Sequence, residues 1–322
     1  MSSAILEVKG LTKRFGSAVA VDDVAFSVAQ GEVVGFLGPN GAGKTTTMRM
    51  IAGFLRPDAG GVTICGYDVV DRPTAAQSVL GYLPEGAPAY ADMTPRAFLE
   101  FVASARGMTG DLAEKAVAEA VVRTQINTVA DQRIDTLSKG FRRRVGLAQS
   151  ILADPPALVL DEPTDGLDPN QKHAVRLLIK SMAAKKAILI STHLLEEVEA
   201  LCTRVILIDK GRVAADDTPQ ALLARSRYRH AVTVEAAADQ VEKTREALQL
   251  FRQNAEIIET PGEPGASFLL LPREGKAILR EIVELMAVRD LRPKGVYAEA
   301  GRLDDVFRSL TTSDVAPEAA QA

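Results

Sequence analysis

The stretch GPNGAGKTT, residues 38–46, sets Gly38, Gly43, Lys44 and Thr45 at the spacing G-x-x-x-x-G-K-[ST]. Glycines in such a turn let backbone N–H groups curl around phosphate oxygens. A helix that begins at the same point aims its positive end at the same anion. Lys44 would reach the β and γ phosphates of a nucleotide, and the Thr45 hydroxyl would ligate Mg2+. Pro39, Asn40, Gly41, Ala42 and Thr46 complete the loop.

A magnesium–nucleotide site also needs an anionic partner for the metal and a group that activates water. The segment ALVLDEPTDGLDP (157–169) offers both, with Asp161 reaching the metal through water and Glu162 as the base. An Asp–Glu pair after an apolar run is, taken alone, an ordinary solvated strand end. A phosphate loop in the same sheet changes that reading, because open α/β sheets bind ligands beyond the carboxyl ends of their strands. His193 closes the next apolar run, in ILISTHLLEEVEAL; on its own it reads as a helix-start histidine bonded to backbone. His173 and His230 are read as surface residues. A second glycine-containing turn, LSKGFRRRVGLAQ (137–149), opens onto a helix through Ser138 and Gly140. Its three arginines, 142–144, read as a solvated helix face, with a raised local potential near a nucleotide as the alternative.

The elements that must carry these groups follow from periodicity. AILEVKGL (4–11) and AVAVDDVAFSV (18–28) alternate as strands around the turn RFGS. EVVGFL (32–37) is a continuous apolar run leading into the phosphate loop and the helix TTTMRMIAGF. VTICG is a further strand. A helix is expected over 94–106, with Thr94 as cap, Pro95 at the first position and Phe98, Phe101, Val102 and Ala105 on one face. Another helix covers about 111–124. The buried runs ALVL (157–160) and AILIS (187–191), followed by RVILIDKGRVAAD, indicate a mostly parallel α/β sheet. The helical stretch from about 87 to 150 interrupts it as a separate lobe. After residue 225 the order becomes βαββαβ, a ferredoxin-like α+β arrangement of about 90 residues. The tail TSDVAPEAAQA (312–322) is expected to be disordered.

The bulk numbers set the frame. A chain of 322 residues holds one large domain and a smaller one, and 47% hydrophobic with 25% charged residues is globular composition. A net charge of −4 and a pI near 5.6 argue against nucleic-acid binding by bulk charge. Neither a basic-then-apolar leader nor a run of the roughly 18–20 apolar residues that span a membrane is present in the sequence. The expectation is a soluble chain whose membrane role runs through a partner. Cys65 and Cys202 form no metal pattern and read as reduced, buried small residues.

Together these segments resemble the ATP-binding cassette family, the ABC transporter ATPases, over residues about 5–220. The resemblance implies a P-loop NTPase (RecA-like) fold with an N-terminal antiparallel β subdomain and a helical lobe over about 87–150. The cassette would occupy 1–225, an accessory domain 226–311 and a tail 312–322. In that family the stretch matching LSKGF is the signature motif, and two subunits pack head to tail so that each signature closes over the ATP held by the other. Ser138 would then donate its hydroxyl and Gly140 permit close approach, with the helix N-terminus facing the γ-phosphate. Phe15, in KRFGS, matches the aromatic that stacks on adenine, with a hairpin core residue as the alternative. Asp168 in GLDP matches the residue linking the two sites, and His193 the switch histidine at the γ-phosphate. Lys139 and Phe141 stand where many members have Gly and Gln. Glu85, in GYLPE, stands where the family usually has Gln; it would ligate Mg2+ or orient water while adding negative charge beside the triphosphate.

The YLPE and LSKGF variants, with RLDDVFRSLT near the end, are similar to cassettes pairing with type-2 exporter permeases of gliding-motility and multidrug-efflux type. The resemblance implies an ATP-hydrolysing subunit that uses ATP and Mg2+ to drive export through a separate integral-membrane permease. Its location would be cytoplasmic, peripheral on the inner face of the membrane. Tyr90 and Phe98 are candidates for an exposed groove taking the permease's coupling helix, with lobe core as the alternative for Phe98. Homodimer and heterodimer both remain open, and no nucleic-acid partner is expected. The alternatives are a soluble ABC ATPase acting on ribosomes or DNA, and a weak regulatory cassette. The C-terminal domain would reinforce the dimer, contact the permease or merely stabilise the chain.

Overall fold

A computed structural model describes residues 4–311 apart from 88, 263 and 274, so the tail expected to be disordered lies outside the described residues. The chain forms two compact units, Met1–Asp217 and Thr218–Ala322.

In the first unit an antiparallel sheet of order β2-β1-β4-β5 uses β1 (Ala4–Phe15), β2 (Ala18–Ala29), β4 (Ala59–Ile64) and β5 (Tyr67–Asp68). A six-stranded sheet of order β10-β9-β3-β8-β7-β6 lies beside it in sequence. Its strands are β3 (Val33–Leu37), β6 (Leu80–Leu83), β7 (Ala157–Asp161), β8 (Ala187–Thr192), β9 (Arg204–Asp209) and β10 (Arg212–Asp217). All neighbours are parallel except β10, which returns antiparallel along β9. Strands β3, β7 and β8 are buried at every residue, which explains their unbroken apolar runs. The two-residue period divides them between two cores. Val34, Phe36, Val159 and Leu189 join the core of α1 (Lys44–Ile51) and the antiparallel sheet. Leu158, Leu160, Ile188 and Ile190 join α5 (Lys139–Ile151) and α6 (Pro169–Ala183). Two short helices, α2 (Pro73–Ser78) and α7 (Leu195–Leu201), complete the frame.

The helical lobe holds α3 (Pro95–Ala105) and α4 (Gly110–Arg123), packed with one face of α5 in a third core. Helix α3 begins as expected: the Thr94 hydroxyl accepts from Ala97 N at 3.2 Å, and Pro95 needs no donor there. Phe98 is not exposed. It is 6% accessible, turned into the lobe core, and the 55% accessible Tyr90 meets it edge-on with ring centroids 6.2 Å apart. Cys65 is not buried either, because it sits in the tight turn after β4 at φ 49°. Cys202 is packed under β3, and burial pushes its thiol up to about 12.

The second unit opens with α8 (Pro219–Leu223) and places β11 (Val232–Ala236), β12 (Ala255–Gly262), β13 (Gly265–Pro272) and β14 (Gly295–Ala298) in the order β12-β13-β11-β14. Every neighbouring pair is antiparallel, which is the ferredoxin-like order. Helices α9 (Val241–Leu248) and α10 (Leu279–Val288) cover its core. Helix α9 is flanked by 3-10 turns on either side. The segment after 217 belongs here because Ser226 Oγ donates to Asp305 of α11 (Leu303–Thr311) at 2.8 Å.

Candidate functional site

The phosphate loop leaves β3 and enters α1 with no side-chain cap, so the first N–H groups of α1 are not closed off by a side chain of their own chain. Gly43 holds φ 102°, and a Cβ there would lie 2.5 Å from Ala20 O. Gly38 is equally constrained, since a Cβ would meet Ile208 O at 2.4 Å. Between them Pro39, Asn40, Gly41 and Ala42 make the curve, which Ala42 anchors by accepting from Gly211 N at 3.0 Å. Lys44 Nζ donates to Gly38 O at 2.8 Å and Pro39 O at 3.1 Å. Burial lowers its pKa, while Glu162, Asp161 and Glu85 act in the opposite direction. A cleft of about 270 Å³ is lined by Asn40, Gly43, Lys44, Thr45, Glu85 and Glu162 among others. Glu85 and Glu162 therefore meet the phosphate loop in one place, at the carboxyl ends of β3, β6 and β7.

Asp161 is 1% accessible. Ser191 Oγ donates to its Oδ1, and its Oδ2 has no partner among the described residues. A buried carboxylate oxygen without a hydrogen-bond partner among the described residues, close enough to act on Lys44, is chemistry that suits a hard divalent cation. Among the described residues no cluster of three or more His, Cys, Asp or Glu could hold a metal, so such an ion would take most of its oxygens from nucleotide and water. Glu162 sits at φ 52°, a left-handed conformation costing on the order of 1–3 kcal/mol for a non-glycine residue. Its N–H donates to Ser191 O and Ser191 Oγ, both at 3.1 Å. His193 Nδ1 lies 3.0 Å from Glu162 Oε2, so the histidine is tied to the carboxylate rather than to backbone. The turn carrying His193 is fixed by Thr192 Oγ1, which donates to Glu197 at 2.8 Å and accepts from Leu194 N at 3.0 Å. Glu197 is buried, and that desolvation raises its pKa.

The remaining predicted residues do not line this cleft. Phe15 is exposed at the β1–β2 hairpin, whose Ala20 does line it. Ser138 caps α5 by accepting from Phe141 N at 3.3 Å. Gly140 is buried, and a Cβ there would lie 2.6 Å from Gln171 Oε1 of the same chain. Asp168 caps α6 by accepting from Gln171 N at 2.9 Å. Lys139 pairs with Asp165 at 2.8 Å.

The arginines behind the signature turn are not a solvated face. Arg143 is 5% and Arg144 7% accessible. Arg144 donates to Gln125 O at 2.9 Å and stacks on Phe141, 4.2 Å from its centroid. Arg143 donates to Pro84 O at 2.9 Å and to the carbonyls of Asp161 and Glu162. Only Arg142 faces solvent. The sequence reading missed Arg143, Ser191 and Glu197. Ser191 alone had a positional signal, since it stands at the end of the strand parallel to β7.

The sequence profile of the ABC transporter family matches residues 21–165. The "Nod factor export ATP-binding protein I" of Ralstonia nicotianae is 36% identical over 315 residues, 96% of this chain and 94% of that protein. The chain belongs to the ABC transporter ATP-binding proteins. A protein of the same description from Bradyrhizobium diazoefficiens is 35% identical over 97% of each chain. A solved ATP-binding subunit of an ABC transporter matches with TM-score 0.64 and 32% identity, covering 68% of this chain and 91% of that one. The cassette is therefore an ATPase of the P-loop class.

Proposed function

We propose that the chain powers export through a separate membrane permease by ATP-driven closure of two cassettes, with hydrolysis reopening them. The observation that carries this reading is the cleft in which the phosphate loop, Lys44, Glu85 and Glu162 converge, while Ser138 stands exposed elsewhere at a helix start. Phe15 stacks on adenine, and the N–H groups of residues 38–46 with Lys44 receive the phosphates. Thr45 and Asp161, with Glu85, would hold Mg2+, which would supply positive charge against the triphosphate. Glu162 takes the proton of the attacking water, and His193, held on Glu162 through Nδ1, turns its other ring nitrogen to the γ-phosphate. Ser138 and Gly140 serve the ATP of a partner cassette, and Asp168 lies on the path between the two sites.

Relatives named for export support the transport reading over action on ribosomes or DNA. Among the described residues no helix is long and apolar enough to cross a membrane, so the permease is a separate chain in this proposal. A groove of about 310 Å³, lined by Phe54, Tyr82, Val102 and Arg106 among others, is the place we assign to its coupling helix. The deciding experiment is ATP turnover by the purified full chain with Mg2+, reconstituted with and without a permease. Turnover that Glu162→Gln abolishes supports the reading, and a nucleotide-binding chain with no turnover in either setting rejects it.

A further inference from the structure

The buried guanidinium of Arg143 has no role in the reading above. It lies one turn into α5, the helix that Ser138 opens, and it is 5% accessible. No carboxylate hydrogen-bonds it among the described residues. Instead it donates to three backbone carbonyls, those of Pro84, Asp161 and Glu162. Its Nε has no partner there. A full charge held on neutral carbonyls is a costly way to fill space, and an apolar side chain would pack more cheaply. What offsets the cost is the surrounding anionic set: Asp161, Asp165, Glu162 and Glu85 all act on Arg143, against a burial that lowers its pKa.

The three carbonyls are significant by position. Pro84 immediately precedes Glu85, and the other two belong to the metal-side carboxylate and the base themselves. Glu162 is clamped on both sides: Ser191 takes its N–H, while Arg143 and Asp165 N occupy its carbonyl. Such a double clamp is what keeps a non-glycine residue at φ 52°. Lys139, on the first turn of α5, adds a second tie through Asp165.

We propose that Arg143 is a positioning residue for ATP hydrolysis, joining the signature helix to the ends of β6 and β7 so that Glu85 and Glu162 hold their aim. Its hydrogen bonds go to the carbonyls of Pro84, Asp161 and Glu162 and to none of residues 38–46. The inference rests on the proposed hydrolytic role of Glu162.

The test uses the full chain carrying Arg143→Ala, Arg143→Gln or Arg143→Lys. ATP affinity, kcat and KM are read beside hydrogen exchange of the segments around 84–86, 161–163 and 39–46. The expected result is ATP affinity within about threefold of the parent and kcat lower by about 100-fold in Arg143→Ala, the scale of a misplaced reacting group. Exchange should rise around 84–86 and 161–163 but not over 39–46. Arg143→Lys should recover part of kcat. A kcat within about threefold of the parent in Arg143→Ala overturns the proposal. So does a loss of affinity, kcat and protection everywhere at once in all three variants, which would mark a purely structural residue. If the parent itself turns over no ATP, the functional reading fails separately; unchanged exchange at 84–86 and 161–163 would still sink the positioning claim.

Discussion

The molecule carries two glycine-bearing turns that open onto helices, and they are built on opposite plans. At Gly43 the backbone itself is the device: φ is 102°, no side chain caps α1, and Lys44 folds back onto the loop. At Ser138 the helix is already capped by the serine, and the room beside Gly140 is taken by Gln171 of the same chain. The first turn has free N–H groups, a cation and carboxylates assembled around it in one cleft. The second offers an exposed hydroxyl at a helix end whose adjacent cation, Lys139, is taken up by Asp165 of the same chain. In the proposed function, one turn is complete as a site within the chain, and the other needs a partner cassette. This difference is the physical argument for a partner cassette.

If the first turn is complete by itself, binding must survive when the base is removed. Glu162→Gln should lower ATP turnover by about 10²–10⁴-fold while ATP affinity stays near the parent's, measured by steady-state hydrolysis beside equilibrium binding. This is the largest effect expected. Next is Gly43→Ala, which forces a Cβ toward Ala20 O at 2.5 Å in a left-handed conformation. It should weaken ATP binding by roughly thirtyfold or more, the loss of one or two charge-assisted hydrogen bonds. Calorimetric titration reads it, and an unchanged affinity would break the contrast between the turns.

Ser138→Ala should act on turnover alone. A single lost hydrogen bond predicts a fall of about fivefold to twentyfold in hydrolysis, with single-chain ATP affinity unaltered. A matching loss of affinity would mean that Ser138 serves its own chain. Gly140→Ala is milder than Gly43→Ala, because the atom in the way is the end of a flexible side chain; thermal unfolding should show a cost within about 1 kcal/mol. Glu197→Gln concerns the His193 turn. Burial raises the folded-state pKa of Glu197, so its contribution to stability is full at low pH and lost as pH rises through that raised value. The Tm of Glu197→Gln relative to the parent should therefore climb between pH 4 and pH 7, and a flat difference would contradict the burial argument.

Much of this was legible because it is written in local chemistry. The phosphate loop is a spacing, β7 and β8 are unbroken apolar runs, and Thr94 followed by Pro95 is a helix start read directly. The ferredoxin-like sheet followed from element order alone. What escaped depends on partners distant in sequence. Arg143 and Arg144 look like a hydrated face until the carbonyls at 84, 125, 161 and 162 are brought over them. Phe98 was assignable to core or groove only once Tyr90 was seen to hold the exposed position. Cys65 lost its expected burial to a tight turn, which outweighs its apolar character.

The central claim is that the second turn works only across a dimer. Glu162→Gln in the full chain should run at its monomer mass of 34.4 kDa without nucleotide, by light scattering on a sizing column, and at twice that mass with ATP and Mg2+. Adding Ser138→Ala should weaken that dimer. A chain that binds ATP to saturation and stays at the monomer mass would contradict the homodimeric form of the account.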